Sequence, residues 1–508
     1  MQAKRFVLIT FVVFLAASLA CSLSAPTPVA WVGTPSAVAR AKTQTAFTNT
    51  QMAERTAMPT LPPTRTPTQP QITTTPTPVI AEDGPWLIYP GRDGRSLIAL
   101  DRDTGTQIPL ALPGLINLSD LEAGLSPDGK KLLLRAGTLD VVNEMGLYLL
   151  ENPHEEIIQV SPLLSVFLER QVINKDGDRA SQASLAVTAD GGIAWSPDGS
   201  LVAFTAALEG DSGDIYLFDL IRDNVKRMTV RYRQNLTPFW SRDMNWMVFQ
   251  EAENISEEGA WEITAVSNVS IPNYDITRFL YLPPEGGQGE VFVGWLNEVS
   301  FLSYTRGVEN HQQLRVVFME RTSPSLVFGG YFTELAFDPN STNLAVAVDA
   351  LAGQLNGMSP GIYLSVPDQT DFWQVLTGQY TGLHWSPEGN TFLVAGAQGI
   401  FGVRLDGTIF TLPNEAQVSV SPNNNWLVAW NNDGLKAGVR LYTPDGSLLQ
   451  VIGNMAVRQV IWQAGSRGFY LVSEDGLYQV RFPLLEPVLI SEDIYQGDDF
   501  RAVWLGSD

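Results

Sequence analysis

The stretch "AWSPDGSLVAF" (194–204) has a near copy at 384–395, "HWSPEGNTFLVA". A recurring segment restricts a chain more than any single motif, because each copy must occupy an equivalent place in the fold. In the quoted stretch a short apolar run leads into Ser-Pro-Asp-Gly. There Pro pre-sets φ, Asp tolerates the next turn position and Gly supplies a positive φ. A second apolar run follows, so the unit reads as a tight β-hairpin. Degraded copies start at Gly124, Phe239, Gly294, Ala336, Val418 and Ile461. With the two quoted copies these make eight. A ninth half-copy, "RAVWLGSD" (501–508), lacks a second strand, and "PWLIYPG" (85–91) at the start of the periodic region can supply it.

Two further strand-like runs follow each hairpin, for example "DIYLFDL" (214–220) and "VKRMTV" (225–230). Four antiparallel strands every ~40–55 residues are the signature of propeller blades. The expected fold is all-β: a single β-propeller of eight or nine four-stranded blades over 84–508, closed by pairing its two ends. A ring also suits the length. One core stops growing near ~250–300 residues, whereas each blade buries its faces only against its neighbours.

The W-S-P-D-G pattern with its following "IY-apolar-apolar-D" resembles the TolB-like propeller repeat, a relative of the WD repeat. The resemblance covers roughly 84–508, and Ser126–Gly129 and Ser196–Gly199 match it fully. It implies the fold. It implies no single activity, since such repeats serve assembly factors, peptidase propellers and surface proteins alike.

The N-terminus reads as an address. Met1–Arg5 is basic, and Phe6–Ala20 is an apolar run too short to span a membrane and suited to a signal peptide. Cys21, the single cysteine, closes that run. Residues 1–21 resemble a bacterial lipoprotein signal, which implies a lipidated Cys21 and a membrane-anchored protein facing out of the cytoplasm. Ser18 stands where that pattern prefers Leu. Residues 22–83 form a low-complexity linker, Thr/Pro-rich at 56–79, with a possible helix at 35–57. As polyproline II, the 56–79 stretch would extend up to ~70 Å at ~3.1 Å per residue.

The net charge of −22, from 32 Lys+Arg against 54 Asp+Glu, opposes binding to nucleic acid. Gly210-Asp-Ser-Gly213 looks like a serine-protease segment, yet the three histidines, His154, His311 and His384, fall in different blades. Asn174–Asp178 and Asp101–Gly105 read as surface turns rather than Ca²⁺ loops, because position 12 counted from Asn174 is Leu185, not Glu. No P-loop, G-x-S-x-G or dinucleotide fingerprint occurs, so no metal or cofactor is expected. The recurring Trp195, Trp240, Trp295, Trp385, Trp462 and Trp504 read as packing between blades.

Strands within a blade are labelled A to D from the centre outward. The A–B and C–D turns share one face and are mostly short, while the long connections at 207–213, 251–260, 349–361 and 161–190 share the other. Long loops on a rigid scaffold carry function. Within the insertion at 161–190, the apolar Leu163–Leu168 beside the polar "NKDGDR" is composed like a partner-binding surface, or else packs on its own blade. The A-strand entrances hold Arg233, Tyr331, Tyr380, Arg458 and Arg501 as candidate ligand contacts, next to Asp190, Glu290 and Gln417. Two readings stay open. One is a monomeric, non-catalytic binding or scaffolding protein for a protein, peptide or glycan. The other is a carbohydrate-active or other hydrolytic or lyase enzyme with a carboxylate pair in the funnel.

Overall fold

The computed structural model describes residues 84–506 apart from 139–143, 175–177, 231–232, 256–261, 268–277, 281–288, 307–311, 320–324, 340–342, 366–370 and 434–436. The leader, Cys21, the linker with its possible helix, His311 and the 175–177 tip therefore lie outside the described residues.

Nine four-stranded antiparallel sheets follow one another along the chain, which resolves the blade count at nine. The two ends share the first blade. Val503–Leu505 pairs as its innermost strand with Trp86–Pro90, in the register Trp86↔Leu505, Leu87↔Trp504 and Ile88↔Val503. The expected closure is thus present, and Trp86–Pro90 has a partner on each side. The weakest repeat, near Gly294, is a full blade. Its inner strand Gly289–Asn297 carries irregularities between Phe292 and Gly294 and between Trp295 and Asn297, which blur the motif in sequence.

Strand B shows why the blades stack. Leu201–Ala206 has both faces apolar, as a strand covered on both sides must. Val202, Phe204 and Ala206 pack toward blade 2, and Ala203 packs toward blade 4. Phe392 and Val394 likewise join blade 6 while Leu393 joins blade 8. One apolar cluster fills each of the nine junctions, including that between blades 9 and 1, where Leu87 and Tyr89 meet Tyr470 and Val472.

The Ser-Pro-Asp-Gly turns are hydrogen-bonded units. Ser196 Oγ donates to Asp198 Oδ1 (2.7 Å) and accepts from Leu201 N (2.9 Å). The same pattern holds at Ser126, Ser241 and Ser421. The Ser126 hydroxyl holds the Asp128 carboxyl below the usual carboxylate range. Tryptophans on the A strands stitch blade to blade. Trp195, Trp240, Trp385 and Trp504 Nε1 donate to the carbonyls of Gly124, Ala194, Ala336 and Trp462, each on the preceding blade, at 2.6–3.1 Å.

The insertion after blade 2 folds into two helices, α1 (Val166–Asn174) and α2 (Asp178–Thr188). Leu163, Leu164 and Leu168 are buried between blades 2 and 3 with Ala180, Ala183 and Val187. Of the two readings of Leu163–Leu168, packing on its own scaffold holds for the three leucines, and only Val166 and Phe167 face out. The connection at 349–361 likewise holds a helix, α3 (Ala350–Asn356), N-capped by Asp349 and closed at Gly357 in the left-handed region (φ 67).

Candidate functional site

The face bearing the long connections is built around the α1–α2 platform. Its foundation is a fully buried ion pair. Arg135 lies in Leu132–Gly137, an otherwise apolar B strand of blade 2. Its guanidinium meets Asp120 (Nη2–Oδ1 2.6 Å, Nε–Oδ2 2.8 Å). It also donates from Nη1 to the carbonyls of Val187 and Ala189 at the end of α2 (2.7 and 2.8 Å). A Cβ on Gly192 would lie 2.3 Å from that Nη1, so the entry to blade 3 needs glycine there. On the opposite flank, Ala186 and Ala189 pack on Leu236, Ala252 and Ile255 of blade 4, and Ile255 N donates to Gln182. The platform is therefore anchored in three consecutive blades. Phe167 (72% exposed) and Val166 stand on its outer side. On the same face, α3 leaves Leu351 and Leu355, one turn apart, exposed.

The five entrance candidates are each held locally. Arg233 pairs with Glu262 at 2.6 Å, and that carboxylate raises its pKa. Tyr331 is gripped through its backbone by Asn356 of α3. Tyr380 donates to the Thr377 carbonyl and stands edge-on to Phe401. Arg458 donates to the carbonyls of Gly497 and Tyr495, and burial lowers its pKa. Arg501 donates to the Phe500 carbonyl and lies 3.7 Å from Glu122. All five mark strand-A entrances on the long-connection face.

Several buried or partly buried carboxylates near the strand ends serve the fold. Buried Glu290 takes Arg315 and the Ser303 hydroxyl. Glu415 takes Arg440 and the Tyr442 hydroxyl (2.9 and 2.7 Å). Burial raises the Asp214 pKa, with Thr229 and Arg227 opposing. Glu334 accepts two backbone N–H groups from blade 7, at Gly382 and Leu383. Ser212 of the protease-like segment donates to Asp214. The two described histidines are engaged in other blades, His154 edge-on to Trp86 and His384 with Nδ1 at the Gly382 carbonyl. Asp101 caps its own turn by accepting from Asp103 N and Thr104 N. Among the described residues no cluster of His, Cys, Asp and Glu could hold a metal ion, and no helix is long and apolar enough to cross a membrane.

Sequence reasoning missed the Asp120–Arg135 anchor. Its signal was present as a charge inside an apolar run, "LLLRAG".

No protein-family model matches the chain, and neither does any curated protein. Solved structures do. A eukaryotic initiation factor superposes with a TM-score of 0.48 at 12% identity, covering 73% of this chain and 88% of its own. Porphyromonas gingivalis dipeptidyl peptidase 4 gives 0.48 at 12% identity, covering 77% of this chain and 64% of its own. Oligogalacturonate lyase from Vibrio parahaemolyticus gives 0.35 at 10% identity, covering 55% and 84%. At such distance these likenesses carry no argument about activity.

Proposed function

We propose that this chain is a lipid-anchored, extracytoplasmic binding protein of the TolB-like kind. Its long-connection face docks a protein or peptide partner, and the linker holds the propeller away from the membrane. The observation that carries this reading is the α1–α2 platform: fixed in three blades by Arg135 and an apolar underside, it still presents Phe167 and Val166 to solvent. Rigid aromatic anchors on a scaffold are what partner surfaces use. The alternative, hydrolysis or lyase chemistry in the funnel, needs carboxylates poised for proton transfer. Glu290, Glu415 and Asp214 are instead committed to arginines and hydroxyls. The test is capture of partners from the source organism by the wild type and by a Phe167→Ser, Leu351→Ser variant, whose changed side chains are exposed and leave the core intact. Loss of a specific captured protein supports the reading. Recovery equal to wild type places the binding surface elsewhere.

A further inference from the structure

The outermost strand of each blade has a neighbour on one side only, so the rim of the ring is where this fold must guard against association with other chains. Several outer strands carry a guard. Pro109, Pro162 and Pro413 interrupt or end those of blades 1, 2 and 7, and Lys226 charges that of blade 3. The outer strand of blade 8, Leu448–Gly453, holds neither proline nor charge.

Its exposure is also different. Leu448, Leu449, Gln450 and Val451 are four consecutive exposed residues, whereas Ile409–Pro413 of blade 7 alternates exposed with buried positions. The register with the neighbouring strand slips twice, skipping Leu449 and Ile452, so side chains there do not alternate strictly between two faces. The apolar strip continues onto blade 9. A Cβ on Gly453 would lie 3.9 Å from Pro487, which leads into the exposed Val488 and Leu489. The five apolar residues Leu448, Leu449, Val451, Val488 and Leu489 are 43–57% exposed. Together they show roughly 400 Å² of apolar surface, comparable with the largest patch on a typical monomer.

We infer that this rim of blades 8 and 9 packs against the same rim of a second copy of the chain, in place of the monomer expected from the sequence. Charge selects that occupant. At −22 two copies repel each other over most of their surface, but residues 446–457 contain no charged side chain. A cationic partner would instead be drawn to the acidic remainder. Area agrees. Two copies bring together roughly 800 Å² of apolar surface, and at the ~65% apolar share of a homodimer interface this implies a contact of roughly 1,200 Å², the lower end of stable interfaces. A twofold axis near Gln450 lays the strip on itself, so the contact closes at two copies. Both faces of the ring stay free, so the inference goes beyond the partner-docking reading and stands or falls separately.

The experiment is crosslinking of the full-length protein in membranes of the source organism, with Gln450→Cys and a short bismaleimide. The comparators are wild type, whose one cysteine is Cys21, and Ile221→Cys, on an exposed turn of blade 3. A covalent dimer of this chain is expected from Gln450→Cys well above both. Adding Leu449→Lys and Val451→Lys sets four ammonium groups about the axis and should lower that dimer about tenfold or more. Adding Ile158→Lys instead, at a comparably exposed site on the outer strand of blade 2, should leave it unchanged. Circular dichroism confirms that each variant is folded. No dimer above the comparators, an adduct with a different protein in its place, or a dimer indifferent to the two lysines would each overturn the inference.

Discussion

Replacing Arg135 by Met tests how the platform is attached. The arginine is 1% exposed and Asp120 is 0% exposed, so the substitution strands a carboxylate in a region without water. Removing one partner of a buried pair costs about 3–5 kcal/mol, because the remaining charge keeps its desolvation penalty and loses its counter-charge. The carbonyls of Val187 and Ala189 also lose their donor, which directs part of that cost to the end of α2. Against a total stability of about 5–15 kcal/mol the loss is large. Urea unfolding followed by tryptophan fluorescence measures it. The double variant Asp120→Leu, Arg135→Met leaves no orphaned charge and should recover at least about 1 kcal/mol relative to the sum of the single substitutions. A cost below about 1 kcal/mol for Arg135→Met, or simple additivity in the cycle, would refute the claim that this pair fastens the platform.

Other outcomes follow from the same structure. The His384 ring nitrogen Nε2 is shut off from solvent although the residue as a whole keeps some exposure, and burial lowers its pKa to about 4 from 6.5. The unfolded chain therefore binds a proton that the folded chain refuses between those values. Its contribution is full above pH 6.5 and falls away toward pH 4, by up to about 3 kcal/mol; His384→Gln should flatten that part of the stability–pH curve, and an unchanged slope would count against it. Truncation after Asp499 removes the strand that pairs with Trp86–Ile88 and the Trp504 bond to Trp462, so the melting temperature should drop steeply, whereas an unaltered one would contradict ring closure. Cys21→Ala should move the protein from the membrane fraction to the soluble fraction, and retention in the membrane would reject lipid anchoring.

The ring was readable because its cause is local. A Ser-Pro-Asp-Gly turn satisfies its own hydrogen bonds, so each copy announces a hairpin without reference to the rest of the chain. The orphan run at 501–505 announced the closure by lacking a partner. Blade 5 was blurred where backbone irregularities displace the Trp295 repeat position. The platform was harder to read, because Leu163–Leu168 mixes residues facing inward with Val166 and Phe167 facing outward. Only the packing partners, in blades 2 and 3, decide which is which. The entrance residues were chosen from meander geometry, whereas their engagement with Glu262, Asn356 and the carbonyls of Tyr495 and Gly497 depends on three-dimensional neighbours.

The most direct test of the binding account is site-specific photo-crosslinking in the source organism, with a benzophenone amino acid placed at Phe167 on the platform or at the exposed Ile221, in a short turn of blade 3 on the opposite face. Both positions are in or beside blade 3, and both leave the core intact. The account expects a discrete protein adduct from position 167 and none from position 221; adducts from 221 alone, or from neither position, would contradict it.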